Sequence, residues 1–266
     1  MSLTFDLIKA NLSDSKDFLI KNFVSIFIKY SKAYLLTLVV SIIIMIVLAI
    51  PLGIANFGSK SSFGLLMLPV LFIVILVSSA MQSVIYNLID NTYKKKDTAI
   101  LGQMKENSFP VIKYYLIALP VLFILLYPII MYVISSSATA NPTALPEPNL
   151  LVWLVLIILA AILAFFVQFG LYELLLSKKD VIESFKGSFE IAKNNLSKVF
   201  VFDLMLIFIF IVIQVIASIS SVLSSAGPIG VVIYLILSFA LGLTSHILLT
   251  TLVYFFYMKI NRSSKA

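Results

Sequence analysis

Four ionisable side chains stand inside, or at the ends of, long apolar runs: Asp90, Glu173, Asp203 and His246. At membrane depth such groups are costly, so each is a candidate site by default. Asp90 and Glu173 close two of the runs. As a pair facing a vestibule, their carboxylates would bind a cation or carry a proton. The plainer reading pairs them with nearby lysines, or uses them to stop their helices at the interface. Asp203 lies just inside another run, within reach of water or Lys198. His246, the only histidine, falls near the middle of the last run. Imidazole titrates near neutrality, which would suit a proton relay, while its plainer role is one interhelical hydrogen bond. Gln82, Gln168 and Gln214 add uncharged polar groups.

Other chemistries find no support. The chain has no cysteine, which removes disulfides, thiolate catalysis and Cys-ligated metals. A single histidine rules out His-rich metal sites, and neither G-x-S-x-G nor G-x-x-x-x-G-K-[ST] occurs. The one arginine, Arg262, stands at the extreme tail, too far along to clamp a phosphate or carboxylate at depth. No catalytic residue, cofactor or metal is expected, and an enzyme is the least favoured class.

Apolar helices must position these residues. Of 266 residues 61% are hydrophobic, against roughly 45–50% in soluble domains, and mean hydropathy is +1.11. The excess falls in six nearly charge-free runs, at 33–54, 63–89, 111–135, 150–176, 199–222 and 229–257. Each matches the roughly 20 residues that cross a hydrocarbon core as a helix. Continuous apolarity, rather than alternation, argues against a barrel. The fold expected is all-α: a polytopic membrane protein of six transmembrane helices forming a single transmembrane domain.

Lysines set the orientation. Eighteen of nineteen basic residues fall on one side of this six-span layout, and only Lys60 on the other. Cytoplasmic segments accumulate Lys and Arg, so both termini are placed in the cytoplasm and the protein in the plasma membrane. The net charge of +7 then reflects topology and not nucleic acid. The outer loops, 55–62, 135–149 and 224–228, are short and turn-rich, leaving no room for a folded external domain.

Three similar pieces emerge near 1–90, 91–177 and 178–266. Each has a lysine-bearing amphipathic stretch and then two spans. Without a gap, Asp90 aligns with Glu173, Lys95-Lys96 with Lys178-Lys179, and Asp97 with Asp180. At another offset Phe23, Ser31 and Lys32 align with Phe189, Ser197 and Lys198. A period near 88 residues fits three pseudo-repeated helical hairpins with cytoplasmic amphipathic helices. The third amphipathic stretch is best formed. Asp180 is placed to cap it, with Glu183 three residues on. Val181, Ile182, Phe185, Phe189, Ala192 and Leu196 recur at helical spacing, with Lys186 and Lys193 elsewhere on the helix. Lys178, Lys179, Lys186 and Lys193 are the candidates to contact lipid headgroups or a protein partner in the membrane or cytoplasm.

The segment 173–195, ELLLSKKDVIESFKGSFEIAKNN, resembles a recurring element of a prokaryotic membrane-protein family. That family includes the membrane domain of some glycerophosphodiester phosphodiesterases. The resemblance rests on Glu173, Ser184, Ser188, Phe189 and Asn194-Asn195 over about 25 residues. It implies a six-helix membrane module and not phosphodiesterase activity, which in those enzymes belongs to a separate soluble domain. Two function classes lead. One is a non-enzymatic scaffold or accessory subunit bound to membrane lipids or a partner. The other is a permease for a small solute or lipid using Asp90, Glu173 and Asp203.

Overall fold

The computed structural model describes residues 2–55, 62–96, 102, 107–117, 162, 165–225 and 227–263. The described residues are all-α, with no strand among them. The helices are α1 (Ser2–Ala55), α2 (Ser62–Tyr93), a helical segment at 107–117, α3 (Gly170–Leu176), α4 (Val181–Asn194), α5 (Leu196–Ser221) and α6 (Gly227–Ser263). Most of the third and fourth expected spans, and the expected outer loops at 55–62 and 135–149, lie outside the described residues.

Three described stretches are long and apolar enough to cross a membrane: Thr4–Ile43, Leu196–Ser225 and Gly227–Asn261. Their outward residues are those of a lipid-facing surface. Ile207, Phe208, Ile211, Val215 and Ile219 of α5, and Ile229, Val232, Leu235 and Ile236 of α6, are all exposed. A soluble protein would not tolerate a continuous apolar patch of that extent.

Helix α1 runs unbroken through both the polar N-terminal stretch and the first apolar run. No Gly or Pro occurs between residues 2 and 50, so nothing interrupts its hydrogen-bond ladder before Pro51, in its last turns. At 54 residues it is about 81 Å long at 1.5 Å per residue, far more than a bilayer core requires. Its first part is tied to the C-terminal end of α6. Asn11 donates to the Leu252 carbonyl (3.2 Å), Asp14 pairs with Lys259 (2.7 Å), and Phe18 meets Phe255 edge-on. Further along, Tyr30 reaches His246 and Tyr34 reaches Phe239, an antiparallel course beside α6.

Helix α2 is parallel to α6 and in register with it. Gln82 contacts His246, and eight residues later on both helices Asp90 contacts Tyr254. The buried core gathers at this same end, from Ile26 and Tyr30 on α1, through Ile85 and Ile89 on α2 and Tyr172 on α3, to Phe256 and Ile260 on α6. Phe202 of α5 stacks on Phe256 with centroids 3.8 Å apart.

Candidate functional site

The end of the bundle that carries the lysines holds two carboxylates in nearly equivalent settings. Asp90 stands on the last turn of α2, and Glu173 in α3. Five residues after each, a lysine takes the left-handed conformation: Lys95 and Lys178 both have φ 53°. Ahead of that turn, the residue four beyond each acid donates its N–H to the acid's own carbonyl, Lys94 to Asp90 (2.9 Å) and Ser177 to Glu173 (3.2 Å). Both helices therefore end in the same manner, with a left-handed residue just beyond the last turn.

Each acid then has one cation and one phenol. Lys94 pairs with Asp90 Oδ2 (2.8 Å) and Tyr254 donates to Oδ1 (2.9 Å). Lys179 pairs with Glu173, and Tyr257 donates to Glu173 Oε1 (2.5 Å). Tyr257 also contacts Ser177 Oγ and receives the Asn261 amide (both 3.1 Å). Tyr172 donates to the Thr250 carbonyl and packs against Tyr86. Glu173 is 2% exposed. Burying a carboxylate to that degree requires this kind of complete pairing. The lysine partners foreseen in the plainer reading are present. The tyrosines of α6 were missed. Their signal was the spacing His246, Thr250, Tyr254, Tyr257, Asn261, a polar stripe on one face of α6.

Helix α4 covers the Glu173 pair. Asp180 caps it as expected, its carboxylate accepting from the Glu183 N–H (2.8 Å). The face it buries is made mostly of small residues, Val181, Ser184, Gly187, Ser188 and Ala192. At Gly187 a Cβ would stand 2.7 Å from Glu173 Oε2 and 3.1 Å from Lys179 Nζ, so any larger residue would push into the ion pair. Of the apolar residues that recur at helical spacing, Val181 and Ala192 are buried, while Ile182, Phe189 and Leu196 are 60, 48 and 51% exposed. Lys186 and Lys193 are exposed between them. Lys179, a candidate headgroup contact, is instead committed to Glu173, while Lys178 remains exposed.

Just before α3 the chain breaks its helix at 168–169. The three carbonyls ahead of the break are taken by side chains from three directions. Gln168 donates to Phe165 (3.2 Å), Ser188 of α4 to Phe166 (2.7 Å), and Tyr114 to Val167 (3.1 Å). Ser188 Oγ also accepts from the Phe169 N–H (3.1 Å). Gly170 admits Tyr114 here, because a Cβ would overlap its ring. Phe185 stacks on Tyr114 and Phe189 on Phe166, which fixes α4 across the break.

Asp203 joins this break and not Lys198. Its Oδ2 accepts from Gln168 Nε2 (3.0 Å), while Lys198 turns to the Asn195 side chain. The pair lines an open groove of about 600 Å³ walled by Ile162, Phe165, Phe166, Phe200, Leu204 and Ile207. His246 makes two contacts, not one: Tyr30 Oη with Nδ1 (2.5 Å) and Gln82 Nε2 with Nε2 (3.2 Å). A neutral imidazole offers one donor and one acceptor, so this arrangement locks one tautomer and joins α1, α2 and α6. The four acid and imidazole candidates therefore occupy three places: a carboxylate cluster, a groove and an interhelical knot. At Gly242 of α6 an added Cβ would meet no neighbouring element within 4 Å among the described residues.

Fold and site together define an all-α protein of apolar helices, three of them able by length and composition to cross a membrane, tied at their lysine-bearing end by paired carboxylates. The chain belongs to the family described as "Domain of unknown function (DUF7847)", which it matches over residues 103–261. No curated protein and no solved structure matches it.

Proposed function

We propose that this protein is a non-enzymatic, multi-pass membrane scaffold or accessory subunit whose helix α4 rides in the headgroup layer. The reading includes six spans in three pseudo-repeated hairpins, with both termini on the cytoplasmic side of the plasma membrane. It is supported by the convergence of residues 11–18, the ends of α2 and α3, and the end of α6 at one pole of the bundle.

One observation carries the functional part. Ile182, Lys186, Phe189 and Lys193 follow one another at steps of four, three and four, so α4 presents a single exposed stripe of alternating apolar and basic residues. Such a stripe suits an interface, with apolar groups in the acyl boundary and ammonium groups among anionic phosphates. Two other segments repeat the composition. In α1, Lys16, Ile20 and Val24 are exposed, and at 107–117 Lys113 stands over the exposed Phe109 ring.

The test is retention of anionic phospholipid by the solubilised protein, read by native mass spectrometry. Each lysine near an anionic surface contributes about 1 kcal/mol. The double variant K186E/K193E should therefore lose anionic lipid by about tenfold or more. Unchanged retention would remove the observation on which the reading stands. A protein found at fixed stoichiometry, and lost in the same variant, would narrow it to the accessory subunit.

The permease reading has one observation in its favour, the polar seam between α2 and α6. Gln82, Ser83, Tyr86 and Asp90 lie along α2 opposite the polar stripe of α6, and Gln82 Oε1 and Ser83 Oγ are buried without a partner among the described residues. Solute or proton flux into proteoliposomes that is abolished by Q82L or H246F would favour it over the scaffold.

A further inference from the structure

Of the three candidate carboxylates Asp90, Glu173 and Asp203, only Asp203 has no cation beside it among the described residues. Asp90 and Glu173 each hold a lysine and a tyrosine, whereas Asp203 has a single carboxamide, Gln168. A charged carboxylate among apolar side chains at membrane depth requires a partner. The carboxamide itself is fixed, because Gln168 Nε2 is shared with the Phe165 carbonyl at the helix break. Irregular backbone at such depth is tolerated where it is buried in protein or lines a cavity, and this break borders a groove of about 600 Å³. The remaining lining is aromatic and aliphatic, and Phe200, Leu204 and Ile207 on the α5 wall are all at least half exposed towards the apolar surroundings.

We propose that this groove holds one amine-bearing bilayer lipid per chain, its ammonium group on Asp203 and beside Gln168, and an acyl chain along the α5 wall. Position supports the assignment. Asp203 stands seven residues into α5, about 10 Å beyond its lysine-bearing start at 1.5 Å per residue. That depth lies within reach of a headgroup drawn inward. Leu204 and Ile207 continue the apolar wall past Asp203, which gives the chain a track away from the headgroups. An ammonium supplies the missing charge and up to three N–H donors to carboxylate and carboxamide oxygens, a pairing whose charge-assisted bonds are roughly twice as strong as neutral ones. An anionic headgroup would meet a like charge. A quaternary ammonium would bring the charge without the donors.

Neither lysine of the α4 stripe lines this groove, so its test is independent of that reading. Full-length protein, stripped of lipid, is offered phosphatidylethanolamine, phosphatidylcholine and phosphatidylglycerol with identical chains, and bound lipid is counted by native mass spectrometry. One phosphatidylethanolamine per chain should be retained, about tenfold in preference to phosphatidylcholine. Asp203→Asn should abolish the preference, and Ile207→Trp, at an exposed position that a misfolding argument cannot reach, should reduce occupancy by filling the groove. K186E/K193E should leave it intact. Retention of phosphatidylethanolamine by both groove variants, equal retention of phosphatidylcholine, or loss only in the lysine double variant would each overturn the proposal.

Discussion

Glu173 is 2% exposed and Asp203 is only partly buried, yet the more deeply buried acid is the one that is fully partnered. At the lysine-bearing end, cation, phenol and helix geometry converge on each carboxylate. In the groove, one carboxamide answers one carboxylate and the rest is apolar. The contrast teaches that depth alone does not mark a binding group. What marks it is the difference between the charge a residue brings and the charge its neighbours return. By that measure the Asp90 and Glu173 sites are braces, and the Asp203 site is a receptor.

The largest effect should come from breaking a brace. Glu173→Gln leaves Lys179 without its counter-charge beneath α4. Removing one partner of a buried pair costs about 3–5 kcal/mol, and the lower end applies because Lys179 is 39% exposed and can turn to water. Thermal unfolding in detergent reads this directly. A melting temperature equal to the parent's would demote Glu173 from brace to ligand group and revive the permease reading. Next comes Gly187→Ala, which drives a methyl into the same ion pair at 2.7 Å and should cost about 1–3 kcal/mol as overpacking. Selective protease sensitivity of α4 would accompany it, and an unaltered melt would mean that α4 does not seat as described.

A smaller loss is expected for His246→Phe. Two interhelical hydrogen bonds disappear, each about 0.6 kcal/mol by the average for membrane helices. A loss of several kcal/mol would show that the knot at α1, α2 and α6 carries more than packing. The smallest effect falls on the receptor: Asp203→Asn should leave stability within about 0.5 kcal/mol of the parent or slightly raise it, because a carboxylate lacking a cation is replaced by a neutral isostere. A large destabilisation there would erase the distinction between the two regions.

The sequence foreshadowed the helices more fully than the contacts. Apolar runs at 63–89, 199–222 and 229–257 lie within α2, within α5 and its following turn, and within α6, because helix ends follow composition when bilayer-length segments are involved. The Asp180 cap was legible because capping is local. The start of the first span at residue 33 marks no break in the chain. Polarity changes there, but backbone helicity does not, since neither Gly nor Pro intervenes. The burial of α4 was hidden for a related reason. Hydrophobic periodicity finds the apolar face, and this helix buries its small face so that backbone can approach an ion pair. Nothing local marks Tyr254 and Tyr257 as carboxylate partners, because Asp90 and Glu173 come opposite them only through the fold.

The links between α1 and α6 have a consequence for how the protein is made. Asn11 waits for Leu252 and Tyr30 for His246, partners 241 and 216 residues further along the chain. During synthesis at about 5–20 residues per second, the first helix must stand for some ten seconds or more with those polar groups unanswered. Helix α6, made long after α1, is thus the one that completes it. A ribosome that stalls before residue 246 releases a chain whose opening segment still offers Asn11 and Tyr30 to whatever surveys unfinished membrane proteins.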